Sequence, residues 1–313
     1  MKAYIFISTV IFLALGFSSC KKSDSILTAS GIDDTYQLPQ GNAAYDQTIV
    51  GYYQKYGSYV LYQFSEKDAY WTPTGIKKPV AGTGGTWSTG AEVSPSNKDY
   101  ITSQLELLDK SLFSLYPTAF LKKFLPVKFL LCSQVDSIYT NYVFTPVYTA
   151  TKGVKKIPAY YSYDNIAVNY GDATIASMTA ADKVAFLARL NLVFFQSINE
   201  RGLIKPTAEF TNSADYTVSN TTQAIAYGKG IISLYYSSNV TADWTAYILA
   251  MVTWSEADLN RAVTNTNTSA VGILNPMKDT NGLIKKRYNM VRNYFINTYQ
   301  VDLQKIGNAS RGL

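Results

Sequence analysis

The residues that carry most enzymatic chemistry are sparse in this chain, and one type is missing altogether: among 313 residues there is no histidine. Without imidazole a Ser-His-Asp or Cys-His nucleophile cannot be assembled, and the commonest nitrogen ligand of zinc, copper and nickel is gone. Cysteine is nearly as scarce, with Cys20 and Cys132 alone. Cys132 closes the apolar run Val127-Lys128-Phe129-Leu130-Leu131-Cys132 and reads as a small core residue. A metal site would have to be built from carboxylates, a donor set that suits calcium or magnesium. The acidic residues are scattered, with no Asp-x-Asp-x-Asp-Gly loop, so neither a metal nor a cofactor is expected. Three carboxylate pairs, Glu66/Asp68, Glu106/Asp109 and Glu256/Asp258, have the residue types for hydrolysis of a glycosidic bond. The two carboxyls of such a site stand roughly 5 to 9.5 Å apart and usually come from separate elements, so closeness along the chain carries little weight. Gly82-Thr83-Gly84-Gly85 is no phosphate cradle, because neither Gly-Lys-Ser/Thr nor a helix start follows it.

Binding chemistry is better represented. The chain has 26 Tyr and 4 Trp, many of them beside Asn, Thr and Ser: Trp71, Trp87, Tyr160-Tyr161-Ser162-Tyr163 and Tyr235-Tyr236-Ser237-Ser238-Asn239. Flat rings flanked by short polar groups suit a glycan or an extended peptide, although rings more often fill a large mixed core and its rim. Trp71 and Trp87 flank a Gly-rich loop and are expected to be exposed. The charge balance, 28 basic against 22 acidic residues, is only mildly basic. Its densest clusters, Lys285-Lys286-Arg287 and Lys155-Lys156, fall short of a nucleic-acid footprint.

The N-terminus carries a different kind of chemistry. Met1-Lys2 is a short basic start, Tyr4 to Phe17 is almost wholly apolar, and Ser18-Ser19 precede Cys20. That order is a signal peptide. The apolar run is shorter than the roughly twenty residues that span a bilayer, so no transmembrane anchor is expected. Phe17-Ser18-Ser19-Cys20 is similar to a bacterial lipobox, in which the cysteine thiol is acylated and becomes the first mature residue, here with Phe where Leu is more usual. Acylation of Cys20 leaves Cys132 without a disulfide partner. The expected layout is a signal peptide over 1–19, a polar tether over 20–40 and a single domain over 41–313, held at a membrane outside the cytoplasm. A domain of this size buries roughly three quarters of its surface.

The elements that must position any site follow from periodicity. Apolar residues at 45, 49, 52, 53 and 56 predict a first helix ended by Gly57, and Ser58 to Phe64 reads as a strand. A loop is expected from Thr72 to Pro95, dense in Gly, Thr, Ser and Pro. Positions 101, 105, 108 and 112 predict an amphipathic helix, Pro126 to Val135 a buried strand, and 136–175 a small irregular sheet. The clearest helix runs from Thr179 to about Glu200, opened by Thr179-Ala180-Ala181-Asp182 and stopped by Gly202. It is apolar around much of its circumference and belongs at the centre of the domain. Two more helices are predicted over Thr241 to Val263, opened by Thr241 and Asp243, and over Leu283 to Tyr299. A mixed N-terminal half and a helical C-terminal half make the class α+β.

Several segments recur in one known family, in order and at similar spacing. They are the lipoprotein start, the early helix with Tyr45-Asp46 followed by Tyr59-Val60-Leu61-Tyr62-Gln63-Phe64, and Pro126 to Leu131 ending near Ser133. Pro206-Thr207-Ala208-Glu209-Phe210 with Asp215-Tyr216 comes next, then Gly230-Ile231-Ile232-Ser233-Leu234-Tyr235 and Ala242-Asp243-Trp244-Thr245-Ala246. Together they resemble the substrate-import-associated zinc metallohydrolase lipoproteins of Bacteroidetes, a zincin-like family found beside SusC/SusD-type outer-membrane importers. The resemblance implies a zincin-like metallopeptidase fold around the buried central helix, and a lipid anchor in the outer membrane facing the cell surface.

That family's metal site is a His-Glu-x-x-His motif on the central helix, where positions i and i+4 share one face and the Glu acts as base. Counting back from Pro206 places the motif on Leu192-Val193-Phe194-Phe195-Gln196, so Leu192 and Gln196 stand for the ligands and Val193 for the Glu. None of these side chains can do the family's chemistry. Of the carboxylate on the later helix the resemblance keeps only Asp243, which by itself reads as a first-turn acid complementing a helix dipole. Glu200, beside Arg201, reads as a solvated charge. Two readings remain open: a non-catalytic accessory protein of nutrient uptake that binds substrate or docks on an importer, and an active glycosidase or peptidase using a histidine-free carboxylate pair.

Overall fold

The computed structural model describes residues 36–309. The signal peptide, Cys20 and nearly all of the tether lie outside the described residues. Leu38–Leu313 forms one compact unit, and its apolar core draws on residues from Ile49 to Ile306.

The strands are β1 (Tyr59–Leu61), β2 (Trp71–Thr72), β3 (Gly75–Ile76), β4 (Gly90–Pro95), β5 (Lys128–Val143), β6 (Thr149–Lys156), β7 (Ala159–Ser162) and β8 (Asn165–Val168). β5 organises them. Its first residues, Lys128 to Cys132, are buried on both faces, as an almost continuous apolar run requires. There β5 pairs in parallel with β1 on one side and with β8 on the other, and β7 closes that sheet antiparallel to β8. The only charge in the run, Lys128, is met by Asp164 at 2.9 Å. Farther along, β5 pairs antiparallel with β4 and then with β6, as far as Val143 opposite Thr149.

Two expectations are corrected here. The buried strand and the first part of the irregular sheet over 136–175 are one sixteen-residue strand. The loop expected from Thr72 to Pro95 ends in β4, whose Ala91 and Val93 alternate with Glu92 and Ser94 against β5. Turn-forming Gly and Pro at its two ends hide so short an alternation.

The first helix is Ala44–Tyr56, with Gly57 at φ 74 as its left-handed cap. Ile101–Ser111 packs on the central helix Ala180–Glu200, Thr118–Phe124 packs on the first helix, and the central helix lies against β7. Thr179 caps the central helix reciprocally. Its hydroxyl accepts from the Asp182 N–H at 3.2 Å, and its own N–H donates to the Asp182 carboxylate at 2.9 Å. Phe186, Leu190, Val193, Phe194, Phe195 and Ile198 are buried along it, each apolar side chain worth roughly 1.5–3 kcal/mol.

The helix expected over Thr241 to Val263 is shorter and starts earlier, at Val240–Thr253, with Asn239 accepting from the Ala242 N–H at 2.9 Å. It stops because Ser255 opens a separate short helix, Glu256–Asn260, by accepting from the Asp258 N–H at 3.1 Å. Leu283–Tyr299 stands where periodicity puts it, and a last helix, Leu303–Ala309, packs on Val240–Thr253. That last contact is backbone-close: a Cβ on Gly307 would lie 2.1 Å from the Met251 carbonyl oxygen. Sheet and helices thus share one core, and the class is α+β.

Candidate functional site

The face of the central helix on which the resemblance places the metal motif is half open. Arg189, Leu192, Gln196 and Asn199, spaced three or four residues apart, are all partly exposed, while Val193, Phe194 and Phe195 between them are buried. Leu192 and Gln196 therefore stand on one accessible stripe, as a pair of ligands at i and i+4 would. Val193 is fully buried and points elsewhere. The stripe is bordered by β7, where Arg189 Nε donates to the Ala159 carbonyl at 3.0 Å, and by the Val240–Thr253 helix, where the Thr245 hydroxyl donates to Asn199 Oδ1 at 2.9 Å. Glu200 is exposed, yet neighbouring protein raises its carboxyl above the ordinary range by desolvation. Burial, and then the Glu200 charge, raise the Tyr160 hydroxyl on β7.

Asp243, the remaining acidic residue of the motif set, is nowhere free to join that stripe. It is fully buried, and both oxygens are committed. Oδ1 accepts the backbone N–H groups of Ile232 and Ser233 at 2.7 and 2.8 Å, while Oδ2 accepts from the Tyr216 hydroxyl at 2.7 Å and from Arg287 at 2.9 Å. Asp243 does stand in the first turn of Val240–Thr253, behind the Asn239 cap, and it also ties three segments together.

Arg287 is the other half of this centre. Counted by sequence in the basic run Lys285-Lys286-Arg287, it is 1% exposed. Its guanidinium donates to the Phe210 carbonyl, the Ser213 hydroxyl, the Tyr216 hydroxyl and Asp243, and lies 3.7 Å from the centre of the Phe210 ring. Gly230, at φ 76, leaves room for it: a Cβ there would sit 2.8 Å from Arg287 Cδ. The segments around Phe210, Tyr216, Gly230–Ser233 and Asp243, which the family resemblance singles out, thus converge on one buried arginine that the resemblance does not name. The signal was present, because position 287 lies on the apolar stripe of its helix with Ile284, Tyr288 and Val291.

The donors around the stripe do not suit zinc. Leu192 and Val193 have no donor atom, Gln196 offers a neutral amide, and Asp243 is spent on Arg287; zinc takes imidazole, thiolate or free carboxylate. Cys132 is buried, donates to the Leu130 carbonyl, and has its thiol pKa pushed up by burial. Among the described residues no three His, Cys, Asp or Glu side chains cluster.

The carboxylate pairs are likewise engaged. Asp68 accepts from Ser65, Glu66 from Lys78, Asp109 from Tyr52 and Ser114, and Asp258 from Ser255 and Arg261. Asp68, Asp109 and Asp258 serve as local caps and struts; Glu106 and Asp109 do line one cavity of about 340 Å³, where Asp109 is already held by Tyr52 and Ser114.

The aromatic candidates do not form one platform. Trp71 is exposed and packs edge-on against Tyr163, and Tyr235 and Tyr236 meet edge-to-face, with Tyr236 70% exposed. Trp87 is half-buried under Lys152, its backbone tied to Thr140, which corrects the expectation of exposure. Tyr160 and Tyr161 are half-buried on β7, and Tyr160 lines a cavity of about 230 Å³ with Tyr70, Lys77, Ser162 and Asn165.

No curated protein matches the chain. A crystal structure of a putative zinc-binding metallo-peptidase from Bacteroides caccae aligns with 87% of this chain and 97% of that one, at 10% identity and a TM-score of 0.46. A family model described as putative zinc-binding metallo-peptidase matches residues 83–304. That span runs from the Gly-rich turn before β4 to the last helix and includes the central helix, the half-open stripe and the Asp243–Arg287 centre. By this match the chain belongs to the putative zinc-binding metallo-peptidase family.

Proposed function

We propose that the mature protein is a lipid-anchored lipoprotein of the cell surface that keeps the frame of a zinc peptidase without its metal. In this reading it acts as a non-catalytic accessory in nutrient uptake, binding substrate or docking on a SusC/SusD-type importer. One observation carries it: the accessible helix stripe on which the resemblance places the family's ligands offers Leu192, Gln196 and Asn199, while Asp243 is locked to Arg287. The anchor is supported by the basic start, apolar run and Ser-Ser-Cys20 order of the sequence. Substrate binding is supported by the partly exposed Tyr160 and Tyr161 of β7, the end strand of its sheet, beside the stripe.

Metal analysis of the purified protein, paired with a turnover and binding screen against peptides and glycans, tests the reading. Saturable binding without turnover and without zinc is expected. Stoichiometric zinc or measurable hydrolysis overturns it. The anchor has its own test, metabolic labelling with palmitate, which Cys20→Ser should abolish. A SusC/SusD-type pair encoded beside the gene is expected on the import reading.

A further inference from the structure

We propose that the tip of the β5–β6 hairpin is a lipid-contact element that seats the domain on an anionic phospholipid bilayer. It deepens the lipoprotein reading and rests on it for the nearness of the membrane. The ribbon leaves the core beyond Ile138, and its side chains become more exposed toward the turn. At the turn Phe144 is 72%, Val147 69% and Tyr148 57% exposed, with Tyr142 and Val143 beside them. These are the most exposed large apolar side chains of the ribbon, and they form one group: Phe144 and Tyr148 ring centres are 5.8 Å apart, and Tyr142 lies 6.2 Å from each. Large apolar groups clustered in water mark a contact surface.

Three features select a bilayer as the occupant. First, the apex combines Phe and Val with flanking tyrosines, the composition that sits at the headgroup boundary with apolar rings inward and hydroxyls wet. Second, the charge is complementary to anionic lipid. No acidic residue occurs from Ser137 to Tyr163, while Lys152, Lys155 and Lys156 follow the turn. Lys152 is bound to Glu92, and Lys156 stands 3.8 Å from Asp172. Lys155 is exposed and has no partner among the described residues; paired opposite Ser137 it stands about 20 Å back from the turn, so it meets a lipid phosphate where the ribbon lies along the surface. Third, residues 21–37 span at most roughly 60 Å, so a chain held at Cys20 keeps the domain beside the membrane. The ladder from Asp136 to Val143 against Lys156 to Thr149 pairs the ribbon backbone almost to the turn, so few bare amides need enter the interface.

The experiment uses the compact unit 38–313, which contains the whole core and lacks Cys20, so its outcome is independent of acylation. Sedimentation with vesicles of phosphatidylcholine containing phosphatidylglycerol is expected to carry the unit down, and pure phosphatidylcholine to bind less. Phe144→Ser with Val147→Ser should lower the partition coefficient about tenfold or more at unchanged melting temperature, whereas Phe144→Trp should retain binding. Failure of the wild-type unit to bind vesicles, or equal binding by the serine variant, overturns the proposal. So does concentration-dependent self-association that the serine variant abolishes, which would give the tip to a second copy of the chain. Failure of palmitate labelling would instead remove the anchor and leave the vesicle result standing.

Discussion

Arg287 and Asp243 stand 2.9 Å apart with side chains 1% and 0% exposed, so two opposite charges from different helices are held without water inside the helical half. Removing one partner strands the other. Asp243→Ala or Arg287→Met alone should destabilise the fold by about 3–5 kcal/mol, whereas the double substitution should cost clearly less than the sum of the two. Urea denaturation of the three variants measures this, and strict additivity would argue against the pair as the organising contact.

The stripe on the central helix makes a separate prediction about facing. Val193→Glu puts a carboxylate into the core and should cost roughly 3 kcal/mol or more, while Gln196→Glu, on the open face, should stay within about 0.5 kcal/mol. Thermal or chemical melts of the two variants distinguish buried from accessible positions. Similar losses for both would mean that the open face lies elsewhere.

Asn191 offers a third. Its amide donates to the Ser111 and Leu187 carbonyls at 3.0 and 2.8 Å, and its oxygen accepts from the Tyr116 hydroxyl at 2.6 Å, all buried. Asn191→Ala leaves the Tyr116 hydroxyl and the Ser111 carbonyl unpaired and should destabilise by roughly 2–3 kcal/mol; Tyr116→Phe should cost less. Denaturant midpoints give the comparison.

Stability should peak in mild alkali. Burial raises the hydroxyls of Tyr116 and Tyr247 well above the ordinary tyrosine range, and Tyr227 to about 12. The folded chain keeps those protons where the unfolded chain, near pH 10, releases them, so stability falls as pH rises above 10. Well above that point each fully buried tyrosine costs about 1.4 kcal/mol per pH unit. Lys278 acts in the opposite sense, because burial holds it down to about 8. Between pH 8 and roughly 10.4 the unfolded chain binds the extra proton and stability rises. Melting temperatures across this range should climb slightly and then drop, and Lys278→Met should flatten only the climb.

Sequence periodicity placed the long helices well, because Leu283–Tyr299 and Ala180–Glu200 carry sustained apolar stripes with local caps. It failed where distant partners decide. Gly90–Pro95 becomes a strand only because β5 lies alongside it, and the helix begun at Val240 stops at Thr253 because Ser255 caps the next one. That the chain can hold no His-Glu-x-x-His motif was legible, since it needs only the absence of histidine. The engagement of Asp243 was not, because its partners come from positions 216, 232, 233 and 287. Exposure was misjudged at Trp87, which is covered by Lys152.

The sixteen residues of β5 also act as a common ruler. Four ladders are read from this one strand, two parallel and two antiparallel, so a slip of one residue would have to break all four together and turn Phe129 and Leu131 out of the core. Drift in this family is therefore expected to change the length and composition of the hairpin end beyond Ile138, while the spacing from Lys128 to Ile138 stays constant. The ladders hold the direction of the strand, and the end beyond Ile138 answers only to what it touches.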